Sequence, residues 1–174
     1  MQTHSLNEVL GGLENIPQMR GCVGVILDSI QDPANFGAIL RSAAFFGVKF
    51  VIYGKNRQAP VTSVVVRTSA GGIFEVKMIP VTNISRAIDT LKENGIWTLG
   101  TAIEESTPLA DVKNDRPFAV VLGNEGKGIR QEVLRHCDMR AKIPTSQSLV
   151  DSLNVSVSAG VVLSHLPFSE GEAE

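Results

Sequence analysis

The chain has 174 residues, of which 43% are hydrophobic and 20% are charged, and it carries a net charge of −2. This composition predicts one folded globular domain with a substantial core and excludes a disordered chain. The charge argues against a dedicated nucleic-acid-binding module, which usually has a basic face, but leaves room for a local basic patch. Apolar runs such as 23–27 are far shorter than the roughly 20 residues of a membrane span, and the N-terminus lacks the pattern of a secretory signal.

Cysteine and histidine are both sparse. Cys22 and Cys137 are expected to be free thiols in a reducing compartment, so we expect a cytoplasmic protein. The three histidines are isolated in sequence and give no metal-ligand spacing, and the nucleophile motif G-x-S-x-G is absent. We therefore expect no bound metal.

Apolar patterning predicts the elements in chain order. Residues 1–20 are predicted to form a helical extension that Pro17 ends. Strands are predicted at 22–27, 50–53, 74–79, 96–101, 118–123 and 140–143, and helices at 35–46, 61–70, 81–94 and 128–135. Asn35 is the expected cap of the first of these helices, and Thr82 or Asn83 of the third. Residues 103–117 are predicted to be a solvated loop.

Strands that alternate with helices predict an α/β domain with a mostly parallel, six-stranded sheet and helices on both faces. Polar loops follow the strands that end near Asp28, Gly123 and Ile143. Ligands of such sheets bind at the carboxyl ends of the strands, so the three loops are expected to meet at one site. We expect this domain to span 21–168 and to be followed by a disordered acidic tail, 169–174.

The stretch from Ile143 to Leu163 mixes short polar side chains with valine and leucine. Its centre, 154–158, alternates with period two and favours a strand, whereas its small residues would also suit a helix, and periodicity does not choose between them. Buried polar groups without partners cost roughly 1–3 kcal/mol, so these side chains indicate a ligand or a second polar loop.

The loop V-V-L-G-N-E-G-K-G-I has the glycines of a tight turn or of a close backbone approach to a ligand. It matches neither the Walker spacing nor G-x-G-x-x-G. Arg41 lies in an otherwise apolar predicted helix and could extend to the surface or face an anion. A candidate basic patch consists of this arginine with Lys55, Arg57 and Arg67 from one half of the chain, and of Lys127, Arg130 and Arg135 from the other. Ordinary solvated charges are the alternative for each of them.

Three motifs occur along the chain. The first is D-S-I-Q-D-P-A-N-F-G-A-I-L-R-S-A-A-F-F-G-V, the second V-V-L-G-N-E-G-K-G-I, and the third I-P followed by S-L-N-V-S-V-S-A-G-V-V-L. They resemble those of the SpoU (TrmH) family of RNA ribose 2′-O-methyltransferases, in the SPOUT superfamily. They occur in the family's order, and the sequence between them is most similar to the catalytic domain of 23S rRNA guanosine 2′-O-methyltransferases. The turn at Thr145–Leu149 departs from the family pattern, since it lacks a glycine and is one residue longer.

The resemblance implies a C-terminal deep trefoil knot, a homodimer whose interface lies beside the active site, and bound S-adenosyl-L-methionine. It also implies that the third motif runs into a C-terminal helix over 152–166. The residues that match the family's catalytic positions are Asn35, Arg41, Glu125, Ser152 and Asn154. The residues that match its cofactor contacts are Leu122, Gly123, Asn124, Gly128, Ile143 and Leu153.

The implied activity is methyl transfer to a ribose 2′-hydroxyl of rRNA, with tRNA as the alternative substrate. A hypothesis of another class is a non-catalytic RNA-binding or ribosome-assembly protein. For Arg41, the family proposal is deprotonation of the hydroxyl. Because arginine holds its proton above pH ~12, a phosphate contact that also stabilises developing alkoxide charge is the physically safer hypothesis.

Overall fold

The computed structural model describes residues 2–146, 150 and 152–170. Its strands are β1 Gly21–Asp28, β2 Phe50–Gly54, β3 Lys77–Val81, β4 Trp97–Thr101, β5 Thr107–Pro108, β6 Pro117–Gly123 and β7 Met139–Lys142. Its helices are α1 Leu6–Gly11, α2 Pro33–Phe45, α3 Ser63–Thr68, α4 Gly72–Glu75, α5 Ile84–Glu93, α6 Gln131–His136 and α7 Val155–His165. Short 3-10 turns lie at Ile16–Gln18 and Leu109–Asp111.

All seven strands form one parallel sheet in the order β3-β2-β1-β6-β4-β7-β5. The α/β class and the parallel sheet are confirmed, but the predicted number of six strands is wrong. The additional strand is β5, which lies inside the predicted loop 103–117; its Thr107 pairs with Ala141 of β7. A two-residue edge strand is too short to show a period, so only pairing with a distant segment reveals it.

The centre of the sheet is buried on both faces, as a parallel sheet with helices on each side requires. Every residue of β1 and of β6 is buried. The helices α2, α3, α4 and α7 pack on one face, and α1, α5 and α6 pack on the other. The valine-rich sequences of β1 and β6 therefore supply apolar side chains to both halves of the core.

The start of α2 differs from the prediction. Asp32 is its N-cap, since its Oδ1 accepts a hydrogen bond from the amide of Ala34 at 2.7 Å. Pro33 occupies the first turn, where its missing N–H leaves no donor without a partner. Asn35 is therefore a buried residue inside the helix and not its cap. For α5, whose predicted cap is Thr82 or Asn83, the structure shows Asn83 as the cap.

Two further boundaries differ from the sequence pattern. The predicted strand at 74–79 begins only at Lys77, because Gly72–Glu75 forms a helical turn first. The predicted N-terminal helix is confined to Leu6–Gly11, which begins with a capping box between Ser5 and Glu8. In both places the apolar pattern runs across a change of backbone conformation that it does not record.

The third motif ends in a helix, α7, and the period-two pattern of 154–158 does not form a strand. Asn154 caps this helix by accepting a hydrogen bond from the amide of Ser156 at 2.9 Å. The family resemblance implied a helix over 152–166; the helix is confirmed, but it begins at Val155, after the Asn154 cap, and not at Ser152. Within the atypical turn Thr145–Leu149, residues 147–149 lie outside the described residues, as does residue 151.

After α7 the chain returns to the first strand. The amide of Cys22 donates to the carbonyl of Leu166 at 2.8 Å, and Ser169 forms an antiparallel bridge with Arg20. Glu170 lies 3.6 Å from Nζ of Lys49. The first two residues of the predicted disordered tail thus contact the rest of the domain, and residues 171–174 lie outside the described residues.

Candidate functional site

The order of the strands places the candidate site at the carboxyl ends of β1 and β6. From β1 the chain moves outward through β2 and β3, and it then returns to build β4 and β7 on the far side of β6. Loops that leave neighbouring strands in opposite directions open a crevice at this point of an α/β sheet. The loops after β1 and β6 therefore face each other, as the sequence predicted.

The loop after β6 is a closed turn. The backbones of Asn124 and Gly128 exchange two hydrogen bonds of 3.0 and 2.9 Å, and Gly128 has a φ of 69°. The side chain of Asn124 accepts from the amides of Gly126 and Lys127, and its Nδ2 donates to the carbonyl of Ser29 at 2.9 Å. One side chain thus shapes the turn and attaches it to the loop after β1.

Gly123 is required by this turn. A β-carbon at Gly123 would collide with the backbone of Gly128 and Ile129, because the loop folds back across the end of β6. Of the two predicted roles of this glycine, the structure bears out the tight turn, and close approach to a ligand stays a prediction. Leu122, just before it, is buried.

Glu125 holds the loop after β1. Its carboxylate accepts from the amide of Asp32 at 3.1 Å, from the amide of Gln31 at 3.4 Å and from Nδ2 of Asn35 at 3.4 Å. These contacts join residues that are 90 to 94 positions apart in the sequence. Glu125 therefore links the first two motifs through hydrogen bonds that use both carboxylate oxygens.

Asn35 and Asn154 join the third motif to the other two. Nδ2 of Asn154 donates to Oδ1 of Asn35 at 3.1 Å, while Nδ2 of Asn35 points to Glu125. Because Oδ1 of Asn154 also caps α7, the start of that helix is tied directly to the site. A continuous chain of hydrogen bonds thus runs from Asn154 through Asn35 to Glu125.

The structure also contains an ion pair that the sequence did not predict, between Asp28 and Arg130. Asp28 is fully buried, and its carboxylate accepts from the amide, Nε and guanidinium terminus of Arg130 at 2.7–2.8 Å. The hydrogen bond to Asp28 raises the pKa of Arg130. The pair closes the base of the two loops, and its only sequence signal was a carboxylate at the end of an apolar strand.

The remaining predicted catalytic residues are not joined to this group by hydrogen bonds. The side chains of Arg41 and Ser152 are exposed, and neither has a hydrogen bond or ion pair within the described part of the chain. Among the predicted cofactor contacts, Ile143 packs partly against the core, whereas Leu153 is 48% exposed. Leu153, which precedes the exposed Asn154, therefore presents apolar surface at the edge of the site.

The site has no activated thiol. Both cysteines are free, and burial raises the pKa of Cys22 and of Cys137 to about 12. Burial also raises the pKa of the Tyr53 hydroxyl; Tyr53 is the residue before the last one of β2. No cluster of three metal-binding side chains occurs within 2–146, 150 and 152–170. The arrangement suits holding and positioning a ligand through amides, a carboxylate and apolar surface.

Comparison with known proteins identifies relatives of this chain. Residues 23–164 match the SpoU rRNA Methylase family. Over 139 residues the chain is 45% identical to the 23S rRNA (guanosine-2′-O-)-methyltransferase of Coxiella burnetii, covering 80% of this chain and 55% of that protein. A tRNA/rRNA methyltransferase homologue of Mycoplasma pneumoniae is 40% identical and covers 90% of this chain and 67% of its own length.

Among solved structures, the AdoMet-bound rRNA methyltransferase of Sinorhizobium meliloti superposes with a TM-score of 0.82 at 25% identity. The match covers 95% of this chain and 60% of that one, so this chain spans little more than half of several relatives. None of the described helices is both long and apolar enough to cross a bilayer. With its matched motifs gathered at one sheet edge, the chain belongs to the SpoU rRNA methylase family.

Proposed function

We propose that this protein transfers a methyl group from S-adenosyl-L-methionine to a ribose 2′-hydroxyl of rRNA, with a guanosine of 23S rRNA as the substrate nucleotide. The observation that carries the proposal is the hydrogen-bonded group of Asn35, Glu125 and Asn154, one residue from each family motif. The name of the C. burnetii relative supports the choice of nucleotide.

The residues at the edge of the sheet fit the cofactor. Leu153 and Ile143 offer apolar surface for an adenine ring, and Leu122 and Gly123 form the end of β6, from which the second motif's loop leaves. The turn held by Asn124 and Gly128 closes this side of the site with backbone that is already ordered. When bound, the cofactor would supply the electrophilic methyl group: the ribose oxygen attacks in line, the bond from methyl to sulfur breaks to leave S-adenosylhomocysteine, and the hydroxyl proton passes to solvent.

Catalysis would come mainly from positioning. Asn35 and Asn154 hold the start of α7 against the loops. The hydroxyl of Ser152 and the guanidinium of Arg41 are exposed, and both are therefore available to RNA. Arg41 binds a phosphate beside the target ribose through two parallel hydrogen bonds. Its positive charge also stabilises the developing alkoxide. Glu125 acts as a positioning residue, because its oxygens already hold the loop after β1.

The proposal includes the deep trefoil knot and the domain boundaries at 21–168, after an extension at 1–20. The return of the chain from α7 to β1, through the bond between Cys22 and Leu166, supports a knotted C-terminus. It also includes a homodimer in the cytoplasm. The helices α2 and α7 pack together, and each exposes an apolar side chain, Phe45 at 82% and Val157 at 51%.

Methyl transfer to purified RNA tests the activity. The 174-residue chain would be incubated with tritiated S-adenosyl-L-methionine and either 23S rRNA or bulk tRNA, and cofactor binding would be followed by calorimetry. We expect label on rRNA and a ribose methyl that blocks alkaline cleavage at one site. Label on tRNA alone would establish the alternative substrate, in line with the name of the M. pneumoniae relative. Absence of both heat and label would leave the non-catalytic RNA-binding hypothesis.

A further inference from the structure

The charge of the chain is unevenly distributed. Between Asp32 and Glu75 lie 42 residues, 33–74, that contain five lysines and arginines and neither aspartate nor glutamate. The rest of the chain holds the other 11 basic residues and all 18 acidic ones. The net charge of −2 therefore conceals one strongly positive segment in an otherwise acidic protein.

Three cations of this segment form what we call the basic face, defined as Lys55, Arg57 and Arg67. All three side chains are exposed, and none has an ion-pair partner in the part of the chain that the structure describes. By contrast, Lys49, which lies in the same segment, pairs with Glu170 and stacks on Phe168. A cation that has no ion-pair partner keeps more of its attraction for an anionic ligand than a paired one does.

The basic face adjoins the candidate site through two connections. The loop that carries Lys55 and Arg57 follows the carboxyl end of β2 and is fixed to the loop after β1. There the amide of Ile30 donates to Oε1 of Gln58 at 3.0 Å, and the amide of Ala59 donates to the carbonyl of Ile30 at 2.7 Å. The same loop after β1 is the one that Glu125 holds from the other side.

Arg67 is connected to the helix of Arg41 through the packing of α3 on α2. It lies on α3, next to Thr68, and a β-carbon at Gly37 of α2 would collide with the Thr68 hydroxyl. Arg41 lies one turn beyond Gly37 on α2, and a β-carbon at Gly72 would approach its Cα to 3.1 Å. Arg67 and Arg41 therefore lie on two helices, α3 and α2, that pack against each other.

The loop also shows the local features of a binding element. Arg57 has a φ of 60°, a left-handed conformation that non-glycine residues adopt rarely and at an energetic cost. At its base, Nε2 of Gln58 and Oγ1 of Thr62 are buried without a hydrogen-bond partner among the described residues. The conformation that displays Arg57 thus costs free energy in the unbound protein.

We propose that the basic face binds the phosphates of the RNA strand that leads into the site, so that Lys55, Arg57 and Arg67 continue the phosphate contact assigned to Arg41. The inference rests on the proposed function, because that function supplies the RNA substrate. Contacts of cationic side chains with backbone phosphates do not distinguish one base from another. This face therefore supplies affinity, and the target ribose is selected by other residues.

A charge-matched pair of triple variants tests the basic face. The first variant is Lys55→Gln, Arg57→Gln and Arg67→Gln. The control is Arg86→Gln, Lys113→Gln and Arg135→Gln, which removes three other exposed cations that have no ion-pair partner among the described residues. Binding of a fluorescent 20-nucleotide oligouridylate would be titrated between 50 and 200 mM salt. Three lost contacts to single-stranded RNA reduce the log–log salt slope by about 2, so the affinity advantage of the wild type at 50 mM shrinks about twentyfold by 200 mM.

The control variant is expected to keep the wild-type slope. An unchanged slope in the first variant, or an equal loss in the control, would overturn the basic face as the RNA contact. Calorimetry with S-adenosyl-L-methionine separates this failure from that of the proposed function. Wild-type protein that binds neither cofactor nor RNA refutes the function itself, whereas cofactor binding with an unaffected first variant refutes only the basic face.

Discussion

Asn154 shows how much of this site depends on a single side chain. Its Oδ1 caps α7, and its Nδ2 donates to Asn35, which in turn donates to Glu125. A carboxamide can do both because it presents an acceptor and a donor on opposite sides of one planar group. A hydroxyl in its place would cap the helix but could not also span to α2.

Arg41 has the opposite environment, since its side chain is exposed and unpaired among the described residues. We expect Arg41→Lys to lower kcat/KM for methyl transfer at least tenfold, or about 1.4 kcal/mol, because lysine cannot make the paired hydrogen bonds of a guanidinium. Transfer to 23S rRNA would be measured with Arg86→Lys as the control. Near-full activity of Arg41→Lys would refute the bidentate phosphate contact.

The two thiols give a prediction that depends on pH. Burial raises the pKa of Cys22 and Cys137 to about 12, so at pH 7 only about 10⁻⁵ of each is thiolate, against a few per cent for an ordinary cysteine. We expect the native protein to react with Ellman's reagent at least a hundredfold more slowly than the urea-unfolded chain. Fast labelling of either thiol in the native state would contradict this.

The same shifts carry a sign for stability. A thiol whose pKa is raised in the folded state favours folding below the pKa of the unfolded chain, near ~8.5, and this contribution is lost as the pH rises towards 12. We therefore expect the free energy of unfolding to fall between pH 9 and 11. Urea titrations at both pH values, with Cys22→Ala as the variant in which the fall is smaller, would measure it.

At the scale of elements, α2 is the helix that the site requires, and glycines determine how closely its neighbours approach. Gly37 lets α3 pack against α2, and Gly72 lets α4 approach the carbonyl of Leu40. A β-carbon at Gly37 would meet the Thr68 hydroxyl and lie 2.7 Å from the carbonyl of Val65. The helix that carries Asn35 and Arg41 is thus positioned by residues that have no side chain.

Gly37→Ala should therefore destabilise the protein. Alanine in a helix is favoured over glycine by about 1 kcal/mol, but overpacking against backbone costs about 1–3 kcal/mol, and a carbonyl cannot move aside as a flexible side chain can. We expect a net loss of about 1 kcal/mol or more in urea denaturation. Gly11→Ala is the control, since a β-carbon there meets nothing within 4 Å, and an equal loss in both variants would disprove the packing argument.

At the scale of the whole molecule, the Asp28–Arg130 pair joins the two halves of the sheet at its switch point. Asp28 ends β1, and Arg130 follows the turn after β6, 102 positions later. Removing one partner of a buried pair costs about 3–5 kcal/mol, and the lower end applies because the Arg130 side chain is 34% exposed. Arg130→Ala should thus lower the free energy of unfolding by about 3 kcal/mol.

Arg140→Ala is the matched control for that variant. Arg140 pairs with Glu105 at 3.0 Å, but the Glu105 side chain is 84% exposed, so the loss should be below about 1 kcal/mol. Both values would come from urea denaturation of the same protein at pH 7. If the two arginine variants lost similar stability, the buried pair would have no special part in holding the loops together.

The amino-acid sequence by itself determined the α/β class, the two central strands and the meeting of three polar loops at one edge. Apolar runs, turn glycines and the direction of parallel strands are local signals, so they can be followed along the chain. The three ordered motifs likewise identified the family, which the match over 23–164 confirmed.

Only the tertiary structure decided the strand β5, the cap at Asp32, the pair between Asp28 and Arg130, and the isolation of Arg41 from the other matched residues. The physical reason is that β5, the ion pair and the surroundings of Arg41 depend on partners far away in the sequence, which no local period encodes. Asp32 is different, because its signal was local but Asn35 offered a competing cap. Which of two suitable side chains caps a helix is settled by where the packed helix begins.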